Sequence, residues 1–304
     1  MIRASAPGSI MITGEHAVVY GERAVVAAVA RRITVSLTPR SDRQVHVRSS
    51  IADPLVTHLD TLSPVDPFRP VIAVLDAYRD TVPAGFELDI RSDIDPTLGL
   101  GSSAAVIVAS LATCQRFAGF DPCADPLAVH REALGIVQGL QGRGSGADVA
   151  ASVFGGLLAY RAPPDTEVRP LPAPPSLALR YSGYKTPTAE VLARVAQHTR
   201  GREAEYAKRY RIMGASADAA VDAAIAEDWR AFAAALNRYQ PLLVELGVSD
   251  TLLDELVAGA LATPGTLAAK ISGSGLGDCV LALGATPPGF SPITVAPEGM
   301  VLHG

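Results

Sequence analysis

Residues Asp95-Pro96-Thr97-Leu98-Gly99-Leu100-Gly101-Ser102-Ser103-Ala104-Ala105 join glycines, two adjacent hydroxyls and the start of an apolar stretch that runs to Phe117. Glycines let a backbone turn tightly, and the free N–H groups at a helix start converge on one spot. Those donors, with the positive end of the helix dipole, bind phosphate. Ser102 and Ser103 can touch a phosphate oxygen or a phosphate-bound Mg²⁺. No lysine follows the glycines, so this is not the GxxxxGK[ST] loop. Gly99-x-Gly101-x-x-Ala104 also fits the loose dinucleotide-binding pattern. Against that reading, Pro96 interrupts the approach from the strand Phe86 to Ile90, and Asp121 lies in a polar, Pro-containing stretch rather than at a strand end. A purely structural helix cap is the third reading.

Three more clusters surround this loop in sequence. The segment Gly139-Leu140-Gln141-Gly142-Arg143-Gly144-Ser145-Gly146-Ala147-Asp148 leads into Val149-Ala150-Ala151-Ser152. The segment Lys270-Ile271-Ser272-Gly273-Ser274-Gly275-Leu276-Gly277-Asp278-Cys279 runs into the apolar strand Val280 to Leu283. Near the N-terminus, Ala6-Pro7-Gly8-Ser9-Ile10-Met11-Ile12-Thr13 is a short apolar strand that ends in Gly14-Glu15-His16-Ala17-Val18-Val19-Tyr20-Gly21. A glycine-rich turn beside a strand admits a ligand or a second backbone at close range.

At these residues the chain resembles the GHMP kinase superfamily, the group of galactokinase, homoserine kinase, mevalonate kinase and phosphomevalonate kinase. The ordered motifs fall at 6–21, 96–105 and 270–283, so the resemblance covers nearly the whole chain. Gly14 to Gly21 looks most like mevalonate kinases. The stretch around Gln138-Gly139, residues Gly144 to Ala151 and the ending Gly277-Asp278-Cys279 are closer to phosphomevalonate kinases. The resemblance implies an α+β, two-domain GHMP kinase fold. Its N-terminal domain, 1–162, would carry a left-handed βαβ-type phosphate loop, and its C-terminal domain, 176–304, would be an α/β sandwich.

The resemblance also implies roles. ATP would be held by Pro96, Leu98, Gly99, Leu100, Gly101, Ser102, Ser103 and Ala104. Phosphoryl transfer needs positioning and charge screening more than covalent chemistry. Asp148 would accept or orient the proton of the substrate hydroxyl; a helix cap is the bland alternative. Gly14, Glu15, His16, Thr188, Gly273, Ser274 and Gly275 would face the acceptor, because a carboxylate and an imidazole can hydrogen-bond a small hydroxy acid. Mg²⁺, which takes oxygen ligands, would use Ser103 and, from an acid upstream of the aspartate, Glu132. The usual position of that acid lands on Leu134, two residues away. Most mevalonate kinases read Ala-Pro-Gly-Lys in the first motif; here Ser9 stands where that lysine would be. Lys185, in Tyr181-Ser182-Gly183-Tyr184-Lys185-Thr186-Pro187-Thr188, is assigned the missing catalytic charge, with Arg143 as the other available cation.

Composition agrees with an enzyme on a small substrate. The chain has 304 residues, 48% hydrophobic, enough for two domains with ample cores. Net charge is −5 and no basic cluster occurs, which argues against nucleic acid and anionic membranes as partners. No apolar run is long enough for a membrane span, and Pro7 and Gly8 interrupt any signal-like segment. Cys114, Cys123 and Cys279 are scattered, as expected of a reducing, cytoplasmic setting. A homodimer stays open.

Strands are expected at 23–38, 44–48, 86–90 and 177–181, and helices at 70–80, 103–117 and across 187–262. Residues 162–176, rich in proline, read as a linker, and a final strand pair is expected after the glycines at 273–277. The resulting expectation is an ATP- and Mg²⁺-dependent kinase that phosphorylates the 5-hydroxyl of mevalonate in isoprenoid precursor synthesis. The alternatives are a phosphomevalonate kinase, a diphosphomevalonate decarboxylase or, in a different class, a catalytically silent ATP-binding regulatory protein.

Overall fold

A long strand with two different halves organises the molecule. A computed structural model describes residues 1–95, 98–142 and 144–303. Pro96 and Arg143, both named above, lie outside the described residues. Strand β2 (Arg23–Pro39) buries Ala24 to Val29 without interruption, then alternates Ile33, Val35 and Leu37 inward with more open residues between them. A continuous buried run means both faces are covered, and alternation means one face is open. The first half is covered by helices on both sides; the second exposes a polar face to solvent.

β2 pairs antiparallel with β1 (Ile2–Thr13), β5 (Phe86–Ser92) and β6 (Leu157–Arg161). β3 (Gln44–Ser49) lies parallel to β5 and antiparallel to β4 (Ala52–His58). β7 (Glu167–Leu171) pairs β6, and β12 (Val301–His303) pairs β1, giving eight strands. Since β5 and β6 both run against β2, the helices between them form a crossover. These are α2 (Ser102–Phe117), α3 (Pro126–Gln141) and α4 (Ala147–Phe154). Helix α1 (Arg69–Tyr78) packs beside α2 and α3. α2 buries every residue from Ala104 to Gln115 except Val106, and its alanines allow close approach to β1 and β2.

The second sheet is antiparallel, in the order β11 (Ser291–Ile293), β8 (Leu177–Lys185), β10 (Gly277–Gly284), β9 (Thr266–Ser272). Helices α7 (Trp229–Glu245) and α8 (Thr251–Leu261) pack on it, α6 (Glu203–Ile225) packs on α7, and α5 (Thr188–Thr199) follows β8.

One expectation is corrected. Residues 162–176 are not a bare linker: Glu167–Leu171 is an edge strand, where Pro170 is tolerated because it has one neighbour strand. The final strands, β10, β11 and β12, follow the third glycine cluster as expected. β9 precedes it and β10 follows, so Gly273 to Leu276 form the turn between them. The C-terminal segment returns to the first sheet, where β12 pairs with β1.

Candidate active site

The described part of the phosphate loop, Leu98 to Gly101, hangs between β5 and α2 and is braced from below by β1. Ser9 N–H donates to the Leu100 carbonyl at 3.0 Å. The Ser9 hydroxyl lies directly against Gly101, where a Cβ would collide with it. Gly101 caps α2 in the left-handed conformation (φ 64°) and no side chain caps that helix end. The first turn, with Ser102, Ser103 and Ala104, therefore presents its N–H groups to the loop's concave side.

Asp148 sits in the first turn of α4, after the left-handed Gly146. Two buried groups pin the approach to it: His130 Nε2 donates to the Gly146 carbonyl at 3.1 Å, and the Tyr160 hydroxyl donates to the Ser145 carbonyl at 2.6 Å. The Asp148 side chain is exposed but ringed by protein at longer range. The lost bulk water raises its pKa, while its own backbone N–H and the nearby Lys185 ammonium pull it back.

Lys185 ends β8, at the start of α5, whose first residue is Thr188. Its Nζ lies 3.1 Å from Asp278 Oδ1. That carboxylate occupies the space where a Cβ of Gly99 would be, and the ammonium would lie 3.6 Å from the same point. The phosphate loop, the end of β8, the third glycine loop and Asp148 thus share one corner. Burial raises the Asp278 pKa, and Lys185 lowers it again.

A second ion pair lies deeper. Lys270 Nζ is 2.6 Å from Glu15 Oε1, with side chains 0% and 2% exposed. The ammonium also donates to the Ile271 carbonyl and sits 5.6 Å from the centre of the Tyr239 ring. The Tyr239 hydroxyl donates to the Glu15 carbonyl at 2.7 Å. Burial lowers the Lys270 pKa more than Glu15 raises it. Next to this pair His16, at φ 62°, donates from Nε2 to the Ser274 carbonyl at 2.9 Å. Burial lowers its pKa, so it is neutral at pH 7.

The structure thus brings together Gly99, Gly101, Ser9, Asp148, Lys185, Gly273 and Asp278, and beside them Glu15, His16 and Ser274. Thr188 is exposed, three residues beyond Lys185. Gly14 and Gly275 pack against Ala24 and Val248, so they shape loops rather than offer polar groups. Glu132 is a correction. Its Oε2 accepts from the Tyr78 hydroxyl at 3.1 Å and from Gln115 Nε2 at 2.9 Å. Ser103 lies in the first turn of α2 and Gln115 in its last, so about 18 Å of helix separates them. One ion cannot touch both Ser103 and Glu132; the glutamate instead ties α1, α2 and α3.

Sequence reasoning assigned no site role to Lys270 or to Asp278. Lys270 did carry a signal, a charge inside the apolar run Leu267 to Ile271, which demands a buried partner. The Lys185–Asp278 contact carried none, since 93 residues of chain separate the two.

Known proteins match this chain in family and fold. Residues 69–156 match the GHMP kinases N terminal domain, and residues 220–288 match the GHMP kinases C terminal family. A mevalonate kinase of Archaeoglobus fulgidus is 36% identical over 301 residues, covering 98% of each chain. One from Aeropyrum pernix is 32% identical over 297 residues, covering 92% of this chain and 88% of its own. Among solved structures, a Lin0012 protein from Listeria innocua shares the fold with a TM-score of 0.86 at 20% identity, covering 99% of both chains. The L. major mevalonate kinase in complex with R-mevalonate has a TM-score of 0.75 at 22% identity, covering 97% of this chain and 96% of its own. With family matches in both halves and a relative aligned from end to end, the chain belongs to the GHMP kinases and is an enzyme of that kinase class.

Proposed function

We propose that this enzyme transfers the γ-phosphoryl group of ATP to the 5-hydroxyl of mevalonate. The relatives named mevalonate kinase support that acceptor. The observation that carries the chemistry is the Lys185 ammonium. It lies near enough to Asp148 to lower its pKa and 3.1 Å from Asp278, against the phosphate loop. A lysine from β8 thereby supplies the charge that Ser9 cannot.

The residues present fit a triphosphate. The first turn of α2 has no side-chain cap, and its loop has no room for a Cβ at Gly99 or Gly101. Ser103 is the hydroxyl suited to Mg²⁺, whose remaining ligands would be phosphate oxygens and water. When bound, the metal would neutralise charge on the β- and γ-phosphates. The acceptor end is marked by polar atoms without partners: Glu15 Oε2 and Ser274 Oγ are buried and accept or donate no hydrogen bond among the described residues. A hydroxy acid can satisfy both. In the transfer step Asp148 takes the proton of the 5-hydroxyl, that oxygen bonds to the γ-phosphorus, and the bond to the ADP oxygen breaks. Lys185 and the N–H groups of the loop hold the charge on the transferring oxygens.

The test is ADP release with mevalonate and with 5-phosphomevalonate, beside Asp148→Asn. Loss of a positioned general base lowers turnover by roughly 10²–10⁴-fold. The same variant should melt no lower than the parent, because the fold disfavours the ionised form of Asp148. Turnover on the phosphorylated acid alone would move the acceptor to 5-phosphomevalonate.

A further inference from the structure

Asp278 is an acidic group in a place built for anions. It stands at the start of β10, 6% exposed, with its backbone in the left-handed region (φ 64°). Non-glycine residues hold that conformation at a cost and do so most often at functional positions. The β8–β10 ladder is irregular at this point. Gly277 faces Lys185, but Cys279 faces Tyr181, so three residues of β8 bulge opposite Asp278. Bulges beside active sites re-aim side chains; this one turns Lys185 toward Asp278. Among the described residues the Lys185 ammonium is the one partner found for Oδ1. Oδ2 faces Gly273, at 3.1 Å from where a Cβ would stand.

A carboxylate against the phosphate loop repels a triphosphate, so its presence there works against ATP binding. It acts in the opposite sense on Lys185. That side chain is 41% exposed on a flexible four-carbon stem, and the ion pair restricts where its ammonium can be. The ammonium has three donors, so it can keep Asp278 while it takes on a phosphate oxygen.

We propose that Asp278 is a positioning residue: it holds the Lys185 ammonium over the phosphate loop, and the incoming triphosphate then shares or takes that ammonium. The proposal rests on the reading of Lys185 as the cation of transfer. It makes a prediction that a structural turn residue does not. Asp278→Asn keeps the shape and tolerates the left-handed backbone, yet removes both the tether and the repulsion. The two constants should therefore part: kcat falls by about ten-fold or more, as when one preorganised electrostatic group is lost, while the ATP dissociation constant tightens.

The experiment measures kcat and calorimetric ATP affinity for Asp278→Asn, Lys185→Met and the double variant. Asp278→Gly, which relaxes the positive φ, guards against a folding artefact, and melting curves accompany all four. The expected result is slower turnover with tighter ATP in Asp278→Asn, repeated in Asp278→Gly, and no further loss of kcat when Asp278→Asn is added to Lys185→Met. Equal losses in both backgrounds, or ATP affinity that weakens in step with kcat, would overturn the tether while leaving Lys185 in the mechanism. Full turnover in Lys185→Met would remove the lysine from transfer and the proposal with it.

Discussion

Two lysine–carboxylate pairs sit within one cleft and do different things. Glu15–Lys270 is dry, 2% and 0% exposed, and surrounded by Tyr239, the Ile271 carbonyl and β9. Lys185–Asp278 joins an open lysine, 41% exposed, to a buried acid. Both link the first-motif or phosphate-loop side to the third glycine loop. The dry pair has nowhere else to go, so it fixes how the turn after Thr13 meets β9. The open pair, on the proposal above, would exchange its partner for a phosphate. The comparison teaches that burial, and not the residue types, decides whether an ion pair is a joint or a handle.

The largest effect expected is on the dry pair. Lys270→Met leaves Glu15 buried and unpaired, which costs about 3–5 kcal/mol in urea unfolding. Adding Glu15→Gln should restore most of that loss, since a neutral group needs no counter-charge. If the single and double variants unfold alike, the pair is not a joint and the contrast fails. Lys185→Met also leaves a buried acid, Asp278, but removes an ammonium that is already 41% exposed, so it should lower the unfolding midpoint by less.

The next largest falls on the open pair alone. Gly99→Ala places a methyl where Asp278 Oδ1 stands and forces a side chain into φ 64°. The backbone term alone is about 1–2 kcal/mol. ATP-dependent turnover should fall well beyond what the shift in stability explains, because the displaced carboxylate moves Lys185. Normal turnover would mean that the loop and the pair are uncoupled.

The smallest effect is a pH dependence of two buried histidines, His16 beside the dry pair and His130 at the Gly146 carbonyl. Burial lowers the pKa of His16 and of His130 from 6.5. For a histidine depressed in the fold, the native state binds fewer protons than the unfolded chain. Its stabilising share is complete above pH 6.5 and is lost as the pH falls through the lowered value. Unfolding free energy measured at falling pH should drop over that window, and His16→Gln with His130→Gln should flatten the drop. An unaltered slope in that double variant would trace it to other groups.

Much of the fold was legible. The alternation at Ile33, Val35 and Leu37, the apolar helix from Ala104 to Phe117 and the glycine clusters are local signals with local causes. β4 and β7 were less so. β7 is an edge strand carrying a proline, and edge strands need no strong apolar period because one neighbour and solvent satisfy them. Of the candidate site, the glycine loop at Gly99 to Ser103 was read from residue type and spacing, whereas the roles proposed for Asp148 and Lys185 came with the family resemblance. Glu132 misled because an acid near the expected spacing says nothing about which way its helix face points; it points at Tyr78 and Gln115.

By itself the sequence determined the chemistry on offer: a glycine–serine loop at Gly99 to Ser103 suited to phosphate, a carboxylate at Asp148 and a lysine at Lys185, while the absence of a lysine at Ser9 has meaning only beside the family motif. Tertiary structure alone decided the partners. Glu15 meets Lys270, and Lys185 meets Asp278, across 255 and 93 residues of chain. Spacing rules reach one helical turn or one hairpin, whereas these contacts arise where two separate sheets and their loops converge. The same convergence set burial, and burial divided a fixed joint from a movable charge.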